Sequence, residues 1–172
     1  MSIENLSLTS FRNITDVKVA LHPKLNLICG SNASGKTSFL ESCYFISTGR
    51  SFRSRRIENI INRESASTDF ILFGNLKGSL SEHTNYNVGI KKSTILPTQI
   101  KVNKETIKSA SQLAKLSPVI LIDPLSFELL TGTPTQRRQF LDWGVFHVEP
   151  LFSSNWNNYI NCLKQRNSLL RN

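Results

Sequence analysis

The sequence predicts an α/β fold built on a phosphate-binding loop. Residues 30–37 read G-S-N-A-S-G-K-T and match the pattern G-x-x-x-x-G-K-[ST]. An apolar run at residues 25–29, predicted to be a strand, precedes the loop, and a helix-like segment that ends near Ser47 follows it. Strand, glycine-rich turn and helix start form the context in which this pattern binds phosphate.

The loop contains the residue types that hold a polyphosphate. Gly30 and Gly35 permit backbone angles that a Cβ would penalise, and successive N–H groups of such a turn face an anion. The positive end of the following helix adds to this attraction. We predict that Lys36 reaches the β- and γ-phosphates and that the Thr37 hydroxyl is a Mg²⁺ ligand. The predicted binding residues are Gly30, Ser31, Asn32, Ala33, Ser34, Gly35, Lys36 and Thr37.

Composition limits the class of protein. The 172 residues are 39% hydrophobic and 19% charged, which is ordinary for a chain with one proper core. No apolar run approaches the length of a membrane span, and the first residues lack the layout of a signal peptide. The cysteines form no C-x-x-C pair, and Cys29 and Cys43 fall in segments predicted to be buried. We therefore predict a cytoplasmic protein with reduced thiols and no membrane contact.

Positive charge points to a polyanionic partner. The formal net charge is +9, and the densest basic patch holds Arg50, Arg53, Arg55 and Arg56, with Phe52 among them. Guanidinium groups suit phosphate oxygens, so contact with nucleic acid or with bound nucleotide is one interpretation. A solvated loop with local ion pairs is the other.

Apolar alternation predicts an antiparallel hairpin before the loop and a β-meander after the first helix. The meander is expected to cover the sheet that bears the loop, and polar residues 79–84 are expected to form one of its turns. An antiparallel hairpin directly before a phosphate loop is typical of ABC-type ATPase heads rather than of simple kinases. The predicted strands are residues 3–10, 16–21, 70–76, 85–90 and 99–102.

Residues 118–172 are predicted to be mainly helical. Four aliphatic residues precede Asp123, as in the strand that carries the Mg²⁺-binding aspartate of phosphate-loop enzymes. Alternatively, Asp123 caps a helix whose first residue is Pro124. Two further helices are predicted, at residues 134–146 and from residue 149 onward, the second with an apolar stripe.

Five segments together resemble the RecF family of bacterial recombination and repair proteins, relatives of the SMC and ABC ATPases. They follow the order of that family over almost the whole chain. The resemblance implies a P-loop NTPase fold of the ABC/SMC-type ATPase head, with an ATP-binding lobe I at residues 1–117 and the start of a helical lobe II at residues 118–172. The five segments are residues 6–13, 30–41, 49–53, 133–142 and 163–170.

The resemblance also implies a function. A protein of this kind binds ATP with Mg²⁺, binds double-stranded or gapped DNA and forms an ATP-dependent homodimer. It acts in DNA replication, recombination, repair and the SOS response to DNA damage, and it assists recombinase loading with recombination mediator proteins. Lys36 and Thr37 would serve phosphate and Mg²⁺, and Arg12 and Asn13 would approach the nucleotide from the hairpin. Asp123 would not be the Mg²⁺ ligand. Closure of the dimer would present the arginines of residues 50–56 to DNA.

The sequence departs from the family pattern in one respect. Neither an L-S-x-G-Q signature nor an Asp-Glu pair after an apolar strand occurs in the 172 residues, so the chain is expected to be an N-terminal half. We expect slow DNA-dependent ATPase activity of the full-length protein, and ATP binding without hydrolysis and no catalytic residue in this half. A small P-loop kinase and a non-catalytic interaction scaffold stay open as alternatives.

Overall fold

A computed structural model describes residues 2–78, 85–107 and 109–171. The chain divides into two units, Met1–Val119 and Ile120–Asn172. The turn expected at residues 79–84 lies outside the described residues.

One antiparallel sheet forms the frame of the first unit. The predicted hairpin is confirmed, with Leu6 opposite Val19, and so are the three strands of the predicted meander. The meander does not cover a separate sheet, because its first strand pairs with the first strand of the hairpin. The spatial order is β2-β1-β3-β4-β5-β6. The strands are β1 (Ser2–Phe11), β2 (Ile14–Ala20), β3 (Asp69–Lys77), β4 (Asn85–Ser93), β5 (Gln99–Val102) and β6 (Glu105–Thr106).

The core lies between this sheet and the helix α1 (Lys36–Thr48). Since side chains alternate along a strand, Phe70 of β3 is buried, whereas Phe73 of the same strand is 45% exposed on the other face. The rings of Phe11, Phe45 and Phe70 have no exposed surface and pack edge to face, with centroids 5.2 to 6.0 Å apart. This aromatic cluster fixes α1 on the sheet.

Helix α1 ends at a glycine, as the sequence predicts. Gly49 has a left-handed φ of 69° and donates its N–H to the carbonyl oxygen of Phe45. A Cβ at this position would lie 3.2 Å from the Cβ of Ala110, the first residue of α2 (Ala110–Leu116). Glycine is therefore required both for the backbone angle and for the close approach of α2.

The strand predicted at residues 25–29 is wrong. These residues have no regular structure, and Leu25 and Leu27 are 80% and 86% exposed. A strand needs a neighbour that satisfies its backbone N–H and C=O groups, and no strand of the described residues pairs with this segment. The phosphate loop therefore follows an irregular segment in this structure.

All regular structure in the described residues of the second unit is helical. It comprises a 3-10 turn (Pro124–Phe127), α3 (Glu128–Thr131), α4 (Pro134–Val148) and α5 (Phe152–Leu169). Asp123 starts the 3-10 turn, where its N–H donates to Ser126 Oγ and its Oδ1 accepts from the same hydroxyl, both at 3.0 Å. The helix-cap interpretation of Asp123 stays a prediction, because the bond that its carboxylate accepts comes from a side-chain hydroxyl and not from a backbone N–H. The assignment of residues 118–172 to a lobe II stays a prediction.

The three cysteines differ in exposure. Cys29 and Cys162 are exposed, whereas Cys43 is partly buried. The expectation that Cys29 is a core thiol is wrong, because the segment before the phosphate loop is not part of the core. Burial raises the pKa of Cys43 to about 11, so this thiol is protonated at neutral pH.

At pH 8 we predict that Cys29 and Cys162 react fast with an aromatic disulfide reagent and that Cys43 reacts slowly. The thiolate is the attacking species, and Cys43 combines low access with a raised pKa. Absorbance of the released thiol, followed with and without denaturant, measures the two classes. Three equal rates in the native protein would contradict this prediction, and denaturant is expected to make the rates equal.

Candidate nucleotide-binding site

The predicted phosphate loop bends the chain into the start of α1. Ala33 and Gly35 both have left-handed φ values, 65° and 96°, and Gly35 is the N-cap of α1. A Cβ on Gly35 would lie 3.2 Å from Nδ2 of Asn13, so the glycine also leaves room for the hairpin turn. Most residues of the loop are exposed, which leaves the loop accessible to a ligand.

Positive charge gathers at this loop. No side chain caps the N-terminus of α1, and its first turn holds no acidic residue. Nζ of Lys36 lies across the loop and donates to the carbonyl oxygens of Gly30, at 2.9 Å, and Ser31, at 2.6 Å. Within the described residues no carboxylate pairs with Lys36. The helix end and the ammonium group can therefore act together on an anion.

The hairpin turn contacts the loop through Asn13. Its Nδ2 donates to the carbonyl oxygen of Ala33 at 3.1 Å, and its Oδ1 accepts from the hydroxyl of Ser38 at 2.7 Å. Asn13 thus joins the turn between β1 and β2 to both the loop and the first turn of α1. The structure brings Asn13 to the residues predicted to bind nucleotide.

The neighbouring Arg12 binds a buried carboxylate instead of the loop. Its guanidinium group donates to both oxygens of Glu41, from Nε at 2.9 Å and from Nη2 at 2.7 Å, and also donates to the carbonyl oxygen of Asn59. Glu41 has no exposed surface. It also accepts from the hydroxyl of Ser51 and lies 3.4 Å from Nη1 of Arg53. One carboxylate therefore joins the hairpin turn, α1 and the basic segment that follows α1.

Sequence reasoning missed Glu41. The available signal was its position on α1, where it shares the buried face with Ser38, Ser42 and Phe45. A carboxylate on the buried face of a helix is almost never fully buried unless a positively charged group pairs with it. The spacing could have marked Glu41 as a paired group, but the partners lie 29 and 12 residues away along the chain.

The basic loop, defined as residues 50–56, follows Gly49 directly. Arg50, Arg55 and Arg56 are exposed and have no carboxylate partner among the described residues, while Arg53 shares Glu41 with Arg12. The interpretation of this loop as a set of local ion pairs therefore applies to Arg53 alone. A cavity of about 590 Å³, lined in part by Arg12, Asn13 and Arg53, opens between the basic loop and the hairpin turn.

The structure shows little that would hold a metal ion on its own. No group of three or more metal-ligating side chains occurs in the described part of the chain. Thr37, the predicted Mg²⁺ ligand, is exposed in the first turn of α1. In the same described part, no helix has the length and apolar character that crossing a bilayer requires.

Comparison with known families decides the class of this chain. The profile of the RecF/RecN/SMC N-terminal domain matches residues 2–125, which is most of the chain. The chain belongs to the RecF/RecN/SMC N-terminal domain family. The resemblance to RecF drawn from the sequence is confirmed.

Relatives with curated names include RecF proteins of two bacteria. Each is named DNA replication and repair protein RecF; the one from Pseudomonas syringae pv. tomato is 43% identical over 171 residues, and the one from Shewanella baltica is 41% identical over 172 residues. The alignments cover 99% and 100% of this chain but 46% of each relative. This member of the RecF/RecN/SMC family thus spans a little under half the length of the curated relatives it matches.

Solved structures confirm the predicted fold class. A chain described as the recombination mediator protein RecF with ATP, in the RecFOR pathway, has a TM-score of 0.84 at 25% identity, covering 99% of this chain and 44% of the RecF chain. A chain from a study of ATP-driven dimerization of SMC ATPases has a TM-score of 0.66 at 18% identity and covers 83% of this chain and 99% of its own. The α/β fold of an SMC-type head is therefore shared by this chain.

Proposed function

We propose that this chain is the ATP-binding head of a DNA recombination and repair protein. The observation that carries the proposal is the exposed loop at residues 30–37, with an uncapped helix behind it and Lys36 across it. The similar RecF structure that is described with ATP supports ATP as the nucleotide. The names of the relatives support a role in DNA replication and repair.

ATP with Mg²⁺ fits the residues present. Backbone N–H groups of the loop and of the first turn of α1 would hold the phosphates. Lys36, which donates to the carbonyl oxygens of Gly30 and Ser31, would hold the β- and γ-phosphates, and the Thr37 hydroxyl would be a Mg²⁺ ligand. Asn13 holds the loop from the hairpin side. Bound ATP would supply the phosphoanhydride bond that hydrolysis breaks. We assign no catalytic residue to this chain. We propose that it binds ATP without hydrolysing it.

The whole protein binds DNA, double-stranded or gapped, through the exposed arginines of the basic loop. It forms a homodimer when ATP is bound, and it acts in the cytoplasm together with recombination mediator proteins. Slow, DNA-dependent ATP hydrolysis belongs to that dimer. The charge of the basic loop supports DNA binding, because Arg50, Arg55 and Arg56 have no carboxylate partner in the described residues.

The test is thermal unfolding with and without Mg-ATP. ATP at a hundred times its dissociation constant is expected to stabilise the native chain by about 2.7 kcal/mol. Lys36→Ala is expected to remove the shift, because it deletes the ammonium group over the loop. Lys24→Ala removes the same charge from an exposed position outside the loop and should keep the shift. An absent shift in the native chain at millimolar ATP, or an equal shift in Lys36→Ala, would overturn ATP binding at this site.

A further inference from the structure

A second cavity, of about 500 Å³, shares Arg53 and Ser54 of the basic loop with the first and is lined otherwise by different residues. Three arginines of the basic loop and Lys92 of β4 line it, and aromatic side chains form part of its wall. No acidic side chain of the described residues lines it. Its charged and aromatic lining residues are Arg50, Arg53, Arg55, Lys92, Tyr44, Phe45 and Phe52.

Lys92 has an unusual setting for a lysine. It follows Ile90 on the inner face of β4, is only partly exposed, and holds its Nζ 4.9 Å from the centroid of the Phe45 ring. Removal of water lowers the pKa of its ammonium group. Within the described residues it has no carboxylate partner, whereas the adjacent Lys91 lies 2.8 Å from Asp69.

Lys92 therefore has no acidic counter-charge among the described residues. A cation that loses water is stabilised by a counter-ion, and the ring of Phe45 replaces only part of that stabilisation. The guanidinium groups of Arg50 and Arg55 are exposed at the same cavity and lack ion pairs in the described part of the chain. An anion with several oxygens can bind all three cations at once.

We propose that this cavity binds a phosphate group of a nucleic-acid strand, between Lys92 and the basic loop. The inference rests on the proposed function and extends the DNA-binding surface from the exposed loop onto strand β4. Phe52, whose ring centroid lies 5.5 Å from that of Tyr44, offers an apolar wall on which the sugar or base next to that phosphate packs. Free polyphosphate shares the charge of this ligand but not the sugar and base.

DNA binding of Lys92→Met, measured over a series of salt concentrations, tests the proposal. Methionine keeps an unbranched apolar stem beside Phe45 and removes the charge. We expect the slope of log K against log salt to fall by about 1 and the affinity to fall roughly three- to tenfold. Lys91→Met removes the same charge one residue away on the opposite face of β4 and should bind as the native chain does. Lys92→Arg keeps the positive charge and should therefore show the salt slope and the DNA affinity of the native chain.

The outcomes separate this inference from the proposed function. Should Lys92→Met unfold, Arg50→Ala replaces it, because Arg50 is exposed and lines the same cavity. If these variants keep the native slope of log K against log salt, the cavity site is overturned, while DNA binding by the chain stays intact. Absence of DNA binding by the native chain overturns both. Inorganic tripolyphosphate that binds in a Lys92-dependent way, without any effect of Lys92→Met on DNA binding, also overturns the nucleic-acid assignment.

Discussion

Glu41→Gln is expected to lower the free energy of unfolding of the first unit by about 3–5 kcal/mol. The carboxylate is fully buried, and the side chain of Arg12 is only 16% exposed. Arginine stays protonated at all working pH values, so the variant leaves a poorly solvated guanidinium group without its counter-charge. The amide also presents N–H groups where Arg12 needs an acceptor. Urea unfolding, followed by circular dichroism, measures the change.

The matched control for Glu41→Gln is Glu4→Gln. Glu4 lies 3.8 Å from Nζ of Lys77, and the two side chains are 40% and 47% exposed. Exposed pairs of this kind contribute about 0–1 kcal/mol, so the control should unfold close to the native chain. The prediction is wrong if Glu41→Gln also stays within about 1 kcal/mol of the native chain.

Phe70→Ala is expected to destabilise the first unit by about 3–5 kcal/mol. Its ring has no exposed surface and contacts the rings of Phe11 and Phe45, at centroid distances of 5.2 and 5.3 Å. Alanine removes both aromatic contacts and leaves a cavity that the rigid sheet cannot fill. Because domains of this size are stable by only about 5–15 kcal/mol, the variant should unfold at much lower denaturant.

Phe73→Ala tests whether the loss of stability comes from the buried position of Phe70 or from the removal of any phenylalanine ring. Phe73 lies three residues further along β3 on the outer face and is 45% exposed. The same substitution there should cost only about 1 kcal/mol, since nearly half of the residue is already in contact with water. Similar losses for Phe70→Ala and Phe73→Ala would show that the aromatic cluster is not the main support of α1.

Local patterns were sufficient to predict most of the first unit. The alternation in β1, β2 and β3 predicted the hairpin and the meander, and Gly49 predicted the end of α1. The same alternation places Lys92 on the inner face behind Val88 and Ile90, a signal that could have been read from the sequence. These features depend on neighbours along the chain, so a single sequence contains them.

Features that depend on distant partners could not be predicted. The role of Glu41 follows from Arg12, which is 29 residues away, and the sequence does not specify that pairing. Residues 25–29 have the apolar composition of a strand, but composition supplies no neighbour for their backbone groups. Tertiary context therefore decided both the ion pair and the missing strand.

The path of the basic loop has an electrostatic consequence. This loop leaves α1 at the negative end of the helix dipole but turns back along the helix, since Ser51 donates to Glu41 and Arg53 lies 3.4 Å from the same carboxylate in the second turn. Arg53 therefore lines one cavity with Asn13, which contacts the phosphate loop. Anions bound at the two loops are expected to repel each other over less than the length of α1, and added salt is expected to weaken that repulsion.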